Sequence, residues 1–202
     1  MKVTKAQAQA NRAHIVETAS TLFREHGYDG IGVADLMAEA GFTHGGFYKH
    51  FRSKADLIVE SAACSLAKTA ELSSGSDISE LVRSYVSREH RDARSTGCTI
   101  AALSGDAARQ PAAVQATFAD GIENVLAALS KENTSSAATD AKALREKYLD
   151  IMAHAVGAIV MSRACPDDSS LADEILVVCR DKILTSLNTP PSEDLSANNQ
   201  VG

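Results

Sequence analysis

The fold is decided by residues 27–54, which read GYDGIGVADLMAEAGFTHGGFYKHFRSK. Apolar residues at helical spacing predict a short helix before the turn Ala40-Gly41-Phe42 and a second helix after it. The second helix opens with Thr43 and presents four polar or aromatic side chains: His44, Tyr48, Lys49 and His50. Two short helices joined by a glycine turn are the construction of a helix-turn-helix, whose second helix lies in the DNA major groove.

The charge of the chain is unevenly distributed, although its net value is −6. Residues 1–54 contain seven Lys and Arg against five Asp and Glu, a balance of +2, together with four of the six His. The other residues contain 13 basic and 21 acidic side chains, a balance of −8. A basic end on an acidic body is expected where one surface faces phosphate and the rest is repelled from it.

The composition predicts an all-α fold of about nine helices. Hydrophobic residues make up 45% of the chain, aromatic residues only 4%, and runs of β-branched residues are scarce. The four cysteines form no CxxC pair and no cluster with His, so we expect neither a metal site nor a disulfide framework. The N-terminus has no signal-peptide core, and the apolar stretch 151–161 is too short to span a bilayer, so we expect a cytoplasmic protein with no membrane contact.

Breaks in the helical pattern divide the chain into three regions. Residues 1–54 form the three-helix helix-turn-helix domain that binds DNA, residues 55–187 a larger helical domain for ligand binding and dimerisation, and residues 188–202 a disordered tail. Ser53 is predicted to cap the fourth helix, with Asp56 as its partner in a box-like contact.

The larger region has the pattern of five further helices. They are expected from residue 76 or 77 to about His90, over 97–109, from Gln110-Pro111 onward, and over about 140–164 and 168–187, with a loop at 131–140. Gly121 interrupts the third of these and is expected to serve close packing or a bend. The last two helices carry more apolar surface than one core can cover, which predicts a homodimer formed through them.

The segment from about Arg12 to Leu57 resembles the TetR family of bacterial transcriptional repressors. The resemblance rests on spaced elements in order: His26-Gly27-Tyr28, Val33-Ala34-Asp35-Leu36, Ala40-Gly41, Phe47-Tyr48-Lys49-His50-Phe51 and Ser53-Lys54. It covers about a quarter of the chain. The later helices fit the ligand-binding and dimerisation body of that family in number and length.

The resemblance implies a set of DNA-binding residues. It places Thr43, His44 and Gly45 at the start of the recognition helix, closest to base edges and phosphate. Tyr48, Lys49 and His50 would contact the DNA backbone, with Lys49 also able to reach a base, and Lys54 would meet a phosphate. Lys and Tyr are ordinary phosphate partners whatever the family.

The chain departs from the family pattern at three glycines. Gly32 stands where the family usually has a Ser or Thr that caps the second helix, so that side-chain cap cannot form. Gly45 and Gly46 weaken the recognition helix by about 1 kcal/mol each but allow the backbone to approach DNA closely. Because few side chains here can make bidentate base contacts, we expect DNA shape and thymine-methyl contacts to supply part of the specificity.

Cys98 is a candidate sensor residue. The element Gly97-Cys98-Thr99 resembles one in a branch of the same family that includes electrophile- and oxidant-responsive repressors. A helix N-terminus favours the thiolate, and Arg91 and Arg94 are near in sequence. The alternative interpretation is a small buried residue at the start of a helix. The other candidates for lining a ligand pocket are five residues on the central helices: Phe118, Ile122, Tyr148, Met152 and His154.

The sequence therefore predicts a homodimeric regulator that binds a palindromic operator, most directly as a repressor, and is released by a small molecule or an electrophile. An architectural or adaptor protein that binds DNA without a small-molecule ligand remains the alternative. We expect no cofactor and no enzymatic activity, because the sequence contains no nucleophile–base pair and no phosphate-binding loop.

Overall fold

The computed structural model describes residues 4–130 and 138–188, which contain nine α-helices, one 3₁₀ helix and no strand. The predicted all-α fold is confirmed. The elements are α1 (Lys5–His26), α2 (Val33–Glu39), the 3₁₀ helix η1 (His44–Lys49), α3 (Lys54–Ser73), α4 (Ile78–Tyr85), α5 (Arg88–Asp92), α6 (Thr99–Ala107), α7 (Ala112–Ser130), α8 (Ala138–Arg163) and α9 (Ser170–Asn188). Most of the predicted loop at 131–140 and almost all of the predicted tail at 188–202 lie outside the described residues.

The first three helices pack around a small apolar centre. Phe23 of α1, Leu36 and Met37 of α2, and Phe47 of η1 are all buried there. Phe51 follows η1 and packs against Phe47, with their ring centroids 5.4 Å apart. These two rings hold the recognition helix from its inner side, as the sequence predicts, so its other side is left to solvent.

The turn between α2 and η1 depends on Gly41. This residue has a φ of +78°, and a Cβ placed on it would meet nothing within 4 Å. Glycine is therefore required here by the left-handed backbone conformation. Lack of space for a side chain is not the reason. The turn is closed by the Phe42 amide, which donates to the Met37 carbonyl at 2.7 Å.

Two expected helices differ from the prediction. The recognition helix is a 3₁₀ helix, with the Gly46 amide bonded to the Thr43 carbonyl at 2.8 Å, because two adjacent glycines have a low propensity for the α-helix. The helix expected to continue to about His90 ends at Tyr85 instead. Ser87 starts α5 by accepting a hydrogen bond from the His90 amide at 3.1 Å, so a strong N-cap divides the one expected helix into two.

The long helix α3 joins the helix-turn-helix to the body. Its start is as predicted: the Ser53 hydroxyl accepts from the Asp56 amide at 3.1 Å, and the Asp56 carboxylate accepts from the Arg52 amide at 3.2 Å. Farther along, α3 packs closely on α7. A Cβ at Gly121 would lie 2.5 Å from Leu66 Cδ1 and 2.8 Å from Leu66 Cβ, so Gly121 serves close packing, one of its two predicted roles.

Gly121→Ala should destabilise the protein by up to about 2 kcal/mol. The added methyl group must separate α3 from α7, and overpacking of about 1–3 kcal/mol outweighs the gain in helix propensity of about 1 kcal/mol. Urea unfolding measures the change in the free energy of unfolding. Gly105→Ala, on the exposed side of α6 with nothing within 4 Å of the new Cβ, is the matched control and should be neutral or stabilising. Equal effects of the two substitutions would contradict the packing role.

Candidate functional site

The predicted DNA-contact residues of η1 lie on its outer side. Thr43, His44, Gly45, Tyr48 and Lys49 are exposed. Tyr48 is 67% exposed, although the edges of its ring contact Phe47 and His44 at centroid distances of 5.3 and 6.0 Å. Its ring is thus held in place while its hydroxyl remains accessible. His50, which follows the helix, is half-buried.

Lys54 has a structural role that the sequence did not reveal. Its ammonium donates to the Ile31 carbonyl at 2.7 Å and lies 5.9 Å from the centroid of the Phe23 ring. These interactions join the start of α3 to the segment that precedes α2. An ammonium has three donors, so Lys54 retains hydrogen-bonding capacity for a phosphate.

Arg12 of α1 is the residue of this region that sequence reasoning missed. Its guanidinium forms a bidentate ion pair with Glu60 of α3, with Nε to Oε2 at 3.0 Å, and donates to the His50 carbonyl. The guanidinium carbon lies 4.3 Å from the centroid of the Phe51 ring. Arg12 therefore fastens the end of η1 between α1 and α3. Arg12 and Glu60 are 48 positions apart, so no local spacing could have paired them.

The start of α2 lacks a side-chain cap, as the sequence predicts. Gly32 occupies the N-cap position and has no side chain that could accept a hydrogen bond from the helix. At the start of η1 the N-cap residue is Thr43, and its hydroxyl makes no capping bond either. The Thr43 hydroxyl is therefore free of its own helix and accessible to a DNA partner.

The C-terminal end of α6 contacts the segment that links α1 to α2. The Asp106 carboxylate accepts from the Tyr28 amide at 3.0 Å and from Arg109 at 2.7 Å. A second link is made by Arg24 of α1, which donates to the Ser95 carbonyl at 2.7 Å. The helix-turn-helix is thereby tied to the body at the point where α1 ends.

An apolar cavity of about 80 Å³ lies inside the body and opens on one side. It is enclosed by α3, α4, α6, α7 and α8. Of the predicted lining residues, Cys98 and Met152 line it. Phe118 and Tyr148 are buried in the core, Ile122 and His154 are half-buried, and none of these four is among the lining residues. Tyr85 of α4 lines the cavity and was not predicted to do so.

Cys98 is the N-cap residue of α6 and is only 9% exposed. Arg91 does not approach the thiol as its position in the sequence suggested. It is 2% exposed and binds the Ser162 and Cys165 carbonyls at the end of α8, together with Asp167. These partners hold α5 on the C-terminal end of α8, where free carbonyls attract a cation.

The half-buried cations that interact with the Cys98 thiol are Arg24 and Arg163. Burial lowers the pKa of each guanidinium, and the thiol partly opposes the shift. Both cations come from helices distant in the sequence, which explains why inspection of the neighbouring residues could not identify them.

His90 fixes the rim of the cavity. Its Nδ1 lies 2.7 Å from the Tyr85 carbonyl, and its Nε2 accepts from the Cys98 amide at 3.0 Å. The second bond requires an unprotonated Nε2, so the ring is neutral with its proton on Nδ1. Burial lowers the pKa of His90, the positive charge of Arg163 lowers it further, and the bond to the Tyr85 carbonyl opposes this.

Within residues 4–130 and 138–188, no group of three His, Cys, Asp or Glu side chains is placed to hold a metal ion. No helix in the same part of the chain is long and apolar enough to cross a membrane.

Comparison with known proteins identifies the N-terminal segment. Residues 15–60 match the family model described as "Bacterial regulatory proteins, tetR family". The segment is also similar to the HTH-type transcriptional regulator AcrR of Shigella flexneri, with 36% identity over 69 residues, or 34% of this chain and 32% of that protein. The chain covers about a quarter to a half of the length of the curated relatives it matches.

Solved structures extend the likeness to the whole fold. E. coli NemR in its reduced form superposes with a TM-score of 0.67 at 19% identity, over 87% of this chain and 96% of that one. A TetR-family transcriptional regulator from Agrobacterium tumefaciens gives a TM-score of 0.62 at 23% identity, over 88% and 98%. At these identities the likeness establishes the fold. The similar proteins named here are transcriptional regulators.

Acid should destabilise the protein through His90. Its lowered pKa means that the stabilisation is complete above about pH 6.5, the ordinary value, and is lost as the pH falls below it, because protonation of Nε2 breaks the bond from the Cys98 amide. Urea unfolding at pH 7.5 and 5.5 measures the effect. His90→Gln should be less stable at pH 7.5 and should lose less stability on acidification. Because the other five His are common to both proteins, an identical pH slope would contradict the role of His90.

Proposed function

We propose, from the premise that this chain belongs to the TetR family of bacterial regulatory proteins, that it binds a palindromic DNA operator as a homodimer and represses transcription. A small molecule or an electrophile taken up by the body releases it from DNA. Its site of action is then the cytoplasm, where the DNA is.

The observation that carries the proposal is the exposed outer side of η1. Lys49 and Tyr48 supply a cation and a hydroxyl for phosphate oxygens, and Thr43 and His44 can reach base edges. The inner side of the same helix is fixed by Phe47 and by the Arg12 bond to the His50 carbonyl. A polar surface on a firmly positioned helix is what major-groove binding requires.

Electrostatics supports the same orientation. Residues 1–54 have a charge balance of +2 and the rest of the chain −8, so DNA attracts the helix-turn-helix and repels the body. The glycine pair 45–46 leaves no side chain between the start of η1 and a phosphate or base edge. Specificity then rests partly on the shape of the operator, because few side chains of η1 can form bidentate base contacts.

A homodimer through α8 and α9 is supported by apolar side chains that the monomer leaves exposed. They are concentrated on these two helices: Leu149, Val160, Met161, Leu171, Val177 and Val178. Such an apolar surface on one helix pair fits a second copy of the same surface related by two-fold symmetry.

Release follows from the geometry of a dimer on DNA. Two recognition helices must be separated by about one helical turn, roughly 34–36 Å, to occupy successive major grooves. A ligand that favours a different separation lowers the affinity, and couplings of this kind are typically worth about 1–3 kcal/mol. Helix α6 offers a route, because Cys98 at one end lines the cavity and Asp106 near the other holds the Tyr28 amide.

Lys49→Ala should weaken binding to all DNA sequences and reduce the slope of log K against log salt by about 1, because it removes one cation from the phosphates. Binding is measured by fluorescence anisotropy with a labelled duplex at a series of salt concentrations. Lys142→Ala on α8 removes the same charge away from the helix-turn-helix and should leave the slope unchanged. A wild-type slope for Lys49→Ala would exclude this residue from the phosphate-binding set.

Val178→Asp should convert the dimer into a monomer, because it buries a carboxylate in the apolar contact between two copies. Sedimentation velocity measures the oligomeric state, and operator affinity should fall with it. Leu72→Asp at the end of α3, where the side chain is 78% exposed, introduces the same charge elsewhere and should leave the dimer intact. A dimeric Val178→Asp protein would show that α9 is not in the interface.

Cys98→Ser should abolish the release of operator by N-ethylmaleimide, because the thiol is the one that lines the cavity. Cys64, Cys165 and Cys179 are more exposed and will also be alkylated, so the readout is DNA release measured by anisotropy, not labelling. Cys165→Ser and Cys179→Ser are the controls and should respond like the wild type. Continued release from the Cys98→Ser protein would overturn the thiol switch.

A further inference from the structure

The cavity presents one strong hydrogen-bond donor for which the protein supplies no oxygen or nitrogen acceptor. The Tyr85 hydroxyl is buried and has no oxygen or nitrogen partner among the described residues, and the polar group that interacts with it is the Cys98 thiol, a weak hydrogen-bonding partner. The two other hydroxyls of the lining are engaged: Thr69 donates to the Ser65 carbonyl at 3.0 Å, and Ser73 donates to the Thr69 carbonyl at 2.8 Å. A buried hydroxyl without a partner reduces stability, so such a group in a cavity points to an absent acceptor.

The Tyr85 hydroxyl keeps its proton in this environment. Burial raises its pKa well above the ordinary value, the neighbouring Cys98 thiol acts in the same direction, and the positive charge of Arg163 opposes the shift without cancelling it. Sulfur is only a weak acceptor, so the thiol does not replace an oxygen partner. The hydroxyl is therefore available as a donor.

The rest of the lining is apolar and uncharged. No described lining residue carries a formal charge, and the Cys98 thiol is only a weak donor. The rim contributes nothing further, because both ring nitrogens of His90 are occupied by the Tyr85 carbonyl and the Cys98 amide. Arg163 acts electrostatically on Tyr85 and Cys98, but it lies outside the lining and donates to the Arg91 and His90 carbonyls, so an ionised ligand would lose its hydration here without a direct ion pair.

We propose that the cavity takes a neutral, largely apolar molecule with a single carbonyl-type acceptor, and that the Tyr85 hydroxyl donates to that acceptor. The inference rests on the proposed function in one respect, namely that the bound molecule acts as the effector.

The volume of the cavity limits which molecules can enter without a change in the protein. A cavity of about 150 Å³ holds benzene, whereas this one measures about 80 Å³, so a six-membered ring must displace the surrounding helices as it enters.

The position of Tyr85 makes such a displacement effective. Its ring packs on the His90 ring with centroids 4.3 Å apart, and His90 holds the Cys98 amide at the start of α6. A ligand that draws Tyr85 toward its acceptor therefore acts on the bond that fixes α6. Tyr85 is thus a ligand-binding residue and also a neighbour of the helix that reaches the helix-turn-helix.

The test compares ligands of similar shape on the full-length protein. Cyclohexanone has the acceptor, methylenecyclohexane replaces its oxygen by a CH₂ group, and cyclohexanecarboxylate adds a charge. Binding is measured by ligand-observed NMR titration, because the chain has no Trp to report binding by fluorescence. Tyr85→Phe removes the donor and keeps the ring. Ser73→Ala is the matched control, since its hydroxyl is already bonded to its own helix.

Wild-type protein should prefer cyclohexanone, and Tyr85→Phe should lower the affinity for cyclohexanone by about fivefold while leaving that for methylenecyclohexane unchanged. Ser73→Ala should preserve the preference. Without ligand, Tyr85→Phe should unfold at the same or a higher temperature than the wild type, since it removes an unpaired buried hydroxyl, and this result verifies that the variant is folded. An unchanged preference in Tyr85→Phe, tighter binding of the carboxylate, or no binding of cyclohexanone would each overturn the inference.

Operator binding separates this inference from the proposed function. If DNA binding persists while no ketone binds, the ligand class is wrong and the regulator stands. If cyclohexanone binds through Tyr85 but leaves DNA affinity unchanged, the site is supported and its role as the effector site is wrong.

Discussion

The close packing of α3 on α7 at Gly121 is the constraint on which the other features depend. Leu66 of α3 occupies the space that a side chain at position 121 would fill, so the two helices approach closely. The same α3 begins at the capped Ser53 beside the recognition helix, holds Arg12 through Glu60, and ends with Thr69 and Ser73 in the cavity wall. One helix fixed along its length thus links the exposed side of η1 to the cavity.

Helix α6 also connects the cavity to the helix-turn-helix, and it is shorter than α3. Helix α6 is nine residues long, which corresponds to about 14 Å. Cys98 at its N-terminal end is tied to His90 and lines the cavity, and Asp106 near its C-terminal end accepts the Tyr28 amide where α1 leads into α2. Because these hydrogen bonds are few and specific, a modest displacement of α6 can change how the helix-turn-helix is held. In the proposed dimer, such a displacement is the step by which a bound ligand would alter the distance between the two recognition helices.

Local interactions account for the features that the sequence predicted, and long-range packing for those that it did not. The end of α1 at Gly27, the Gly41 turn and the Ser53 cap each depend on residues within a few positions of one another. The division of α4 from α5 at Ser87 was missed because no Gly or Pro interrupts residues 78–92. Arg12 and Glu60 meet only because α1 and α3 pack together.

The cavity was also beyond the reach of the sequence, because its lining comes from five helices. The sequence placed Phe118 and Tyr148 on the central helices as pocket candidates, and both are buried there in the core. An inner face, however, does not distinguish a residue packed in the core from one beside a cavity, and Tyr85 was for that reason not identified.

Selection of bound duplexes from a random library by the purified full-length protein, followed by sequencing, tests the central claim most directly. A dimeric regulator that reads DNA through η1 predicts an enriched inverted repeat whose half-sites are separated by about one helical turn. Enrichment of isolated half-sites, or no enrichment by a folded dimer, would contradict it and favour a DNA-binding adaptor without operator specificity.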